Sequence, residues 1–347
     1  QYILPYYNFS KPIPWDKLKG NLNFYSSGTN DLNETNSLKT NIINDLKYNT
    51  NSIISKFGFE SDFNISLKNI NSVGKKATNY KTSPEVELIS LFTYNLSLPL
   101  IKKKNNYDNF LTPKILFNFN PGDMKDYSSS KNSINVDNIF YVNRLGLSNT
   151  FESGKSLTVG IDYKKERNFD KYFELKLATV FRDKEENFIS TKSTLNRKNS
   201  NLFGAINNQL SKNIKFGYNF SVDNDYSTLE YNDFNASFSL NNIVTGFSFV
   251  EENGELGDTN VLSSFFNYEI DKNNSLKFKT RRNRKINLTE YYDLVYEYKN
   301  DCLTAGIKYN KTYYSDGDIK PSENLLFTIT LIPLTSYEYS ADEILEQ

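Results

Sequence analysis

In the segment 214–222, IKFGYNFSV, apolar side chains fall at Ile214, Phe216, Tyr218, Phe220 and Val222, and small or polar ones at Lys215, Gly217, Asn219 and Ser221. Alternation at period two sends successive side chains to opposite faces, so this is the pattern of a β-strand with one apolar and one wet face. The same reading recurs at Leu157, Val159, Ile161 and Tyr163, at Phe234, Ala236, Phe238 and Leu240, and at Leu325, Phe327, Ile329 and Leu331. Helical spacing is weak throughout. The pattern predicts strands over 2–9, 18–27, 36–49, 55–69, 86–100, 108–119, 155–165, 171–182, 200–210, 214–222, 231–240, 243–250, 260–270, 275–281, 288–299, 303–313 and 323–333. Many run to about ten residues, the length with which a tilted strand crosses a bilayer.

Short and long connections alternate along the C-terminal half: NN, DKNN and KNDC against EENGELGDT, RRNRKIN and SDGDIKPS. Outer-membrane barrels have this asymmetry, with short turns on the periplasmic side and long loops outside. The alternation extends to the start of the chain if 120–154 is one long extracellular loop, so that NIFYVNRLGL within it is not a strand. The expected fold is therefore all-β, an antiparallel transmembrane β-barrel over residues 1–335, followed by a tail at 336–347. About seventeen strands is an odd number, whereas bacterial single-chain barrels close with an even one. That mismatch leads to the expectation of further strands upstream of Gln1, in a larger even-numbered barrel.

Composition narrows the chemistry. With 41 basic and 41 acidic residues the formal charge is zero, which gives no global field for nucleic acid. The chain has no histidine and one cysteine, so a His-based triad, a His-ligated metal and a thiolate zinc site are excluded within it. No catalytic residue, metal or cofactor is expected. No apolar run approaches the ~18 residues of a transmembrane helix.

The single cysteine, Cys302, lies in the KNDC turn that the alternation assigns to the periplasmic side. A thiol in an oxidising compartment tends to be paired. The expectation is a disulfide to sequence outside this chain, against the alternative of a small buried apolar cysteine. Arg281, Arg282, Arg284 and Lys285 are assigned to the opposite rim, as a possible contact for lipid phosphates or as a solvated loop tip. The strand 323–333 carries Pro333 near its end, and a proline is confined to strand ends, edges and bulges.

The stretches LTPKILFNFNPGDMKD (111–126), NIFYVNRLGLSNTFESGKSLTVGIDY (138–163) and LTEYYDLVYEYKNDCLTAGIKYN with KPSENLLFTITLIPLT after it resemble the C-terminal part of the LptD family. Asn143, Arg144, Glu152, Gly154 and Gly160 match the family's N-R-x-x-G, acidic, glycine pattern, while Asn149 and Thr150 stand where the family often has Asp-Arg. The resemblance implies an integral outer-membrane translocon, without enzymatic activity, that delivers lipopolysaccharide to the outer leaflet. It implies a disulfide from Cys302 to a periplasmic domain, a plug lipoprotein of the LptE kind, and periplasmic Lpt bridge proteins reached through that domain. It further implies a lateral gate at the last strand. There Leu325, Phe327, Ile329 and Leu331 would face lipid, and Asn324, Thr328 and Thr330 the lumen. The alternative is a stand-alone diffusion porin of 16–18 strands, with 120–154 as its constriction loop.

Overall fold

The computed structural model describes residues 2–14, 19–33, 36–77, 81–167, 171–313, 320–331 and 335–340. Among them the chain is all-β, with one single-turn 3-10 helix at Thr191–Ser193 and otherwise strands. In chain order these are β1 (Tyr2–Ile13), β2 (Gly20–Asn33), β3 (Ser37–Thr50), β4 (Ile53–Ile54), β5 (Glu60–Lys75), β6 (Glu85–Ser97), β7 (Leu100–Lys104), β8 (Tyr107–Asn120), β9 (Gly154–Arg167) and β10 (Lys171–Arg182). They continue with β11 (Leu202–Ser211), β12 (Ile214–Val222), β13 (Leu229–Leu240), β14 (Ile243–Glu252), β15 (Asn260–Glu269), β16 (Asn274–Asn283), β17 (Leu288–Lys299), β18 (Leu303–Thr312), β19 (Ser322–Leu331) and β20 (Thr335–Ser340). The chain divides into two compact units. One comprises 1–102, 110–163 and 176–203, and the other 103–109, 164–175 and 204–347.

In the first unit β1, β2, β3, β5, β6 and β8 pair in succession, each antiparallel to the next. Leu98 and Pro99 end β6 three residues before the expected boundary, because proline cannot donate to the ladder. One face of this unit is apolar and exposed: Val86 and Leu88 are 69% and 74% accessible. A polar rung interrupts it. Ser26 donates to Asn44 at 2.7 Å and shares a 3.0 Å bond with Tyr7, and Asn44 donates to Asn69 at 3.1 Å. These groups satisfy one another across four adjacent strands, which removes most of the cost of presenting them on an apolar surface. The opposite face carries the ion pair Lys68–Asp45 at 2.9 Å and the pair Lys114–Asp162.

In the second unit β12 to β20 form an uninterrupted antiparallel meander. Tyr218, Phe220, Phe234 and Phe247 form a chain of ring contacts at 5.4–6.4 Å across β12, β13 and β14. The facing set is polar: Asn310 donates to Asp293 at 2.7 Å, and Lys277 pairs with Glu297 at 3.3 Å.

All seventeen expected strands are present. The correction comes at the C-terminus, where 335–340 is a strand paired with β19 from Leu326↔Ser340 to Leu331↔Thr335. The tail expected at 336–347 therefore begins inside β20, residues 341–347 lie outside the described residues, and 323–333 is not the last strand. Pro333 also lies outside the described residues. Leaving out the two short strands β4 and β7, eighteen strands remain among the described residues, one more than expected.

Candidate functional site

The connection 121–153 contains no strand, as expected, but it is not a solvated loop. Met124, Ile134, Ile139, Leu145 and Leu147 are buried, and they pack with Ile189 and Leu195 of the 183–201 connection and with Ala178, Val180 and Phe203. Two connections thus share one small hydrophobic core. Backbone and side-chain bonds stitch them together: Tyr127 N–H donates to the Phe188 carbonyl at 2.8 Å, the Ser190 hydroxyl to the Ser130 carbonyl at 2.5 Å, and Ser153 to Glu186.

This insert lies against the polar face of the first unit. Lys125 pairs with Glu87 of β6 at 3.1 Å, and Lys176 of β10 pairs with Asp137 at 3.0 Å. The Lys68 ammonium sits 5.9 Å from the Phe151 ring centre, and Lys114 5.6 Å from that of Phe140. Such cation–π contacts hold best where water is excluded, and Lys68 is only 8% exposed.

At the root of the insert Arg144 uses all five of its N–H groups. It donates to both carboxylate oxygens of Glu152 at 2.9 and 2.7 Å, to Ser156 at 2.9 Å, to Thr158 at 2.7 Å and to the Ile139 carbonyl at 3.4 Å. Arg182 approaches Glu152 from β10, and donates to the Ser153 carbonyl at 2.7 Å. All three charged side chains are buried. Burial pushes the Glu152 carboxyl up, but the Arg144 and Arg182 guanidiniums outweigh it and hold the group below its usual range.

The remaining motif residues serve the same joint. Asn143 closes the 143–147 turn, accepting from Leu147 N–H at 2.8 Å and donating to its carbonyl at 2.9 Å. Gly154 begins β9 at φ +76°, and a Cβ there would lie 2.9 Å from Asp183 Oδ1. At Gly160 a Cβ would lie 2.7 Å from the Phe140 ring and 2.8 Å from the Leu177 carbonyl, so the missing side chain is the seat of Phe140. Of the five, Arg144 and Glu152 meet in the buried joint, while Asn143, Gly154 and Gly160 shape a turn, a strand start and a close approach near it. Arg182, Ser156, Thr158 and Phe140 belong to it without having been singled out in the sequence. For Arg182 a signal existed: a lone arginine closing the otherwise apolar run LATVF.

No family model matches the chain. No curated protein matches it either.

The other expected site residues lie in the second unit. Cys302 is exposed and unpaired in the β17–β18 turn, where its N–H donates to Asn300 Oδ1 at 3.0 Å, which removes the buried-cysteine alternative. In β19 Phe327, Ile329 and Leu331 are exposed on one face, with Leu325 in register on the same side, and Asn324, Thr328 and Thr330 lie on the other. Arg281 and Arg282 belong to β16, not to a loop tip. Each member of the basic group has a partner: Arg281 pairs with Glu290 at 2.7 Å, Arg282 donates to Asn287, Arg284 stacks over Phe249 at 5.3 Å, and Lys285 pairs with Asp258. Arg281 and Lys285 are thereby ion-paired, which weakens the case for a phosphate contact through them, while Arg282 and Arg284 keep their charge.

Proposed function

We propose that this chain is the barrel portion of an outer-membrane translocon that delivers lipopolysaccharide to the outer leaflet. The observation that carries the reading is the buried pair of Arg144 and Glu152, with Asn143, Gly154 and Gly160 shaping the backbone near it. The residues that resemble the family pattern share a physical task, locking an insert onto the polar face of a sheet whose opposite face is apolar. Antiparallel strands with one wet and one apolar face are what a membrane barrel requires. In such a barrel the polar face lines the lumen, and the sugar of the lipid would pass along it. Thr328 and Thr330 of β19 are suitable inward contacts. Because β20 follows and pairs with β19, the gate on this reading would lie beyond β19.

A diffusion porin is the second reading, favoured by the packing of 121–153 against charged side chains, as a constriction loop would pack. A photo-crosslinking residue at Thr328 or at Ile329, in cells making the full-length protein, separates the two. Lipopolysaccharide captured from Thr328 supports the translocon. Absence of capture from both positions, with stable ohmic conductance of the purified protein in planar bilayers, would establish the porin.

A further inference from the structure

A second concentration of charge lies at the ends of β7, β8, β9, β10, β11 and β12. Over 102–108, 163–172 and 209–215 the chain carries nine Lys or Arg and three Asp or Glu. Residues from all three stretches line one cavity of about 430 Å³, among them Tyr107, Lys165, Arg167, Lys171, Tyr172 and Leu210. The cations are arranged over aromatic rings. Lys165 Nζ stands 4.4 Å from the centre of the Tyr107 ring and Lys104 Nζ 5.7 Å from it, while Lys164 lies 5.6 Å from that of Tyr172. Lys102, Lys103, Lys104, Lys165, Arg167 and Lys171 are exposed. Leu210, which lines the same cavity, presents exposed aliphatic surface.

A run of surface lysines alone is a solvated face. Here three chemistries meet at one cavity: the aliphatic Leu210, the Tyr107 and Tyr172 rings, and the cations. The same three are found together at a bilayer's edge, where acyl chains give way to an interface that favours amphipathic rings and to phosphates. An acidic protein would match the charge but leaves Leu210 unexplained.

We propose that this corner binds the phosphates of anionic phospholipid headgroups, with Lys165, Arg167 and Lys171 as the charged contacts and Tyr107 as the platform that holds Lys165. The inference rests on the membrane-barrel reading, because only an inserted chain brings this corner to a headgroup layer. In the other basic group, at 281–285, Arg281 and Lys285 are ion-paired to Glu290 and Asp258, which makes Lys285 the natural control.

The test uses the full chain folded in zwitterionic detergent and titrated with short-chain phosphatidylglycerol or phosphatidylcholine, with bound lipid counted by native mass spectrometry. The wild type should retain phosphatidylglycerol in preference to phosphatidylcholine. The triple variant K165Q/R167Q/K171Q should lose about tenfold or more of that affinity, since each cation near an anionic surface contributes substantially, and K285Q should lose none. Equal retention of the two lipids, or unchanged retention in the triple variant, overturns the proposal. Displacement of phosphatidylglycerol by inorganic phosphate at equal affinity overturns the lipid assignment in favour of a free-phosphate site. Failure of the wild type to show heat-modifiable migration after insertion into phosphatidylcholine vesicles instead strikes the barrel reading. Insertion without lipid preference strikes only this inference.

Discussion

At the scale of single residues, the joint at Arg144 is where stability is most concentrated. Removing one partner from a buried ion cluster leaves the other charge uncompensated, and this typically costs about 3–5 kcal/mol. Arg144→Met keeps much of the side-chain volume and should lower stability by about that amount, read as a reduced urea midpoint by circular dichroism in detergent. Glu152 adds a pH signature. Its folded carboxyl titrates below the ordinary value near 4.5, so the unfolded chain binds the proton more readily. The resulting stabilisation is complete above the ordinary value and is lost as pH falls through the depressed one. Glu152→Gln leaves Arg144 and Arg182 without their anion at every pH. The stability gap between wild type and variant should therefore be widest near neutral pH and should shrink in acid. A gap that stays constant down to pH 3 would show that Glu152 does not titrate as its surroundings require.

At the scale of elements, the strands were legible because period two is a local property that each segment carries by itself. What escaped was non-local or too short to alternate convincingly. The segment TSYEYS at 335–340 has only six residues and follows Pro333 closely, so it read as a tail until its pairing with β19 was seen. The insert escaped for a different reason. Its apolar residues, Met124, Ile134, Ile139, Leu145 and Leu147, obey neither helical nor strand spacing, and irregular backbone announces no burial. Their number in a segment expected to be one long extracellular loop was the available signal. The site itself was half legible: Arg144 and Glu152 were visible as a motif, but their third partner lies on another strand, Arg182. The extra strand has its own consequence. Ending the chain at Leu334 removes the partner of Leu326–Leu331 and leaves an open, apolar strand edge, the usual template for wrong pairing. The truncated protein should assemble poorly and aggregate, measured as loss of the heat-modifiable form and growth of the pelletable fraction. Wild-type assembly would mean that β20 contributes nothing to the edge.

At the scale of the whole molecule, the question Cys302 poses is whether it pairs with a second cysteine. An exposed thiol in a tight Asn300–Leu303 turn is sterically ready for a disulfide and has no partner within the sequence. Electrophoresis of the full-length protein from native membranes, with and without reductant, should show a mobility difference that Cys302→Ser abolishes. Identical migration in every lane would mean a free thiol.

The packed insert carries a consequence for the cell. On the translocon reading, the polar face is sealed by the chain's own folded connections, fastened by a buried ionic rivet and a shared hydrophobic core. Loosening the rivet then changes what the envelope lets in as well as what the protein sends out. Cells carrying Arg144→Met would become sensitive to bulky antibiotics that the outer membrane normally keeps away, even where enough protein assembles to sustain growth.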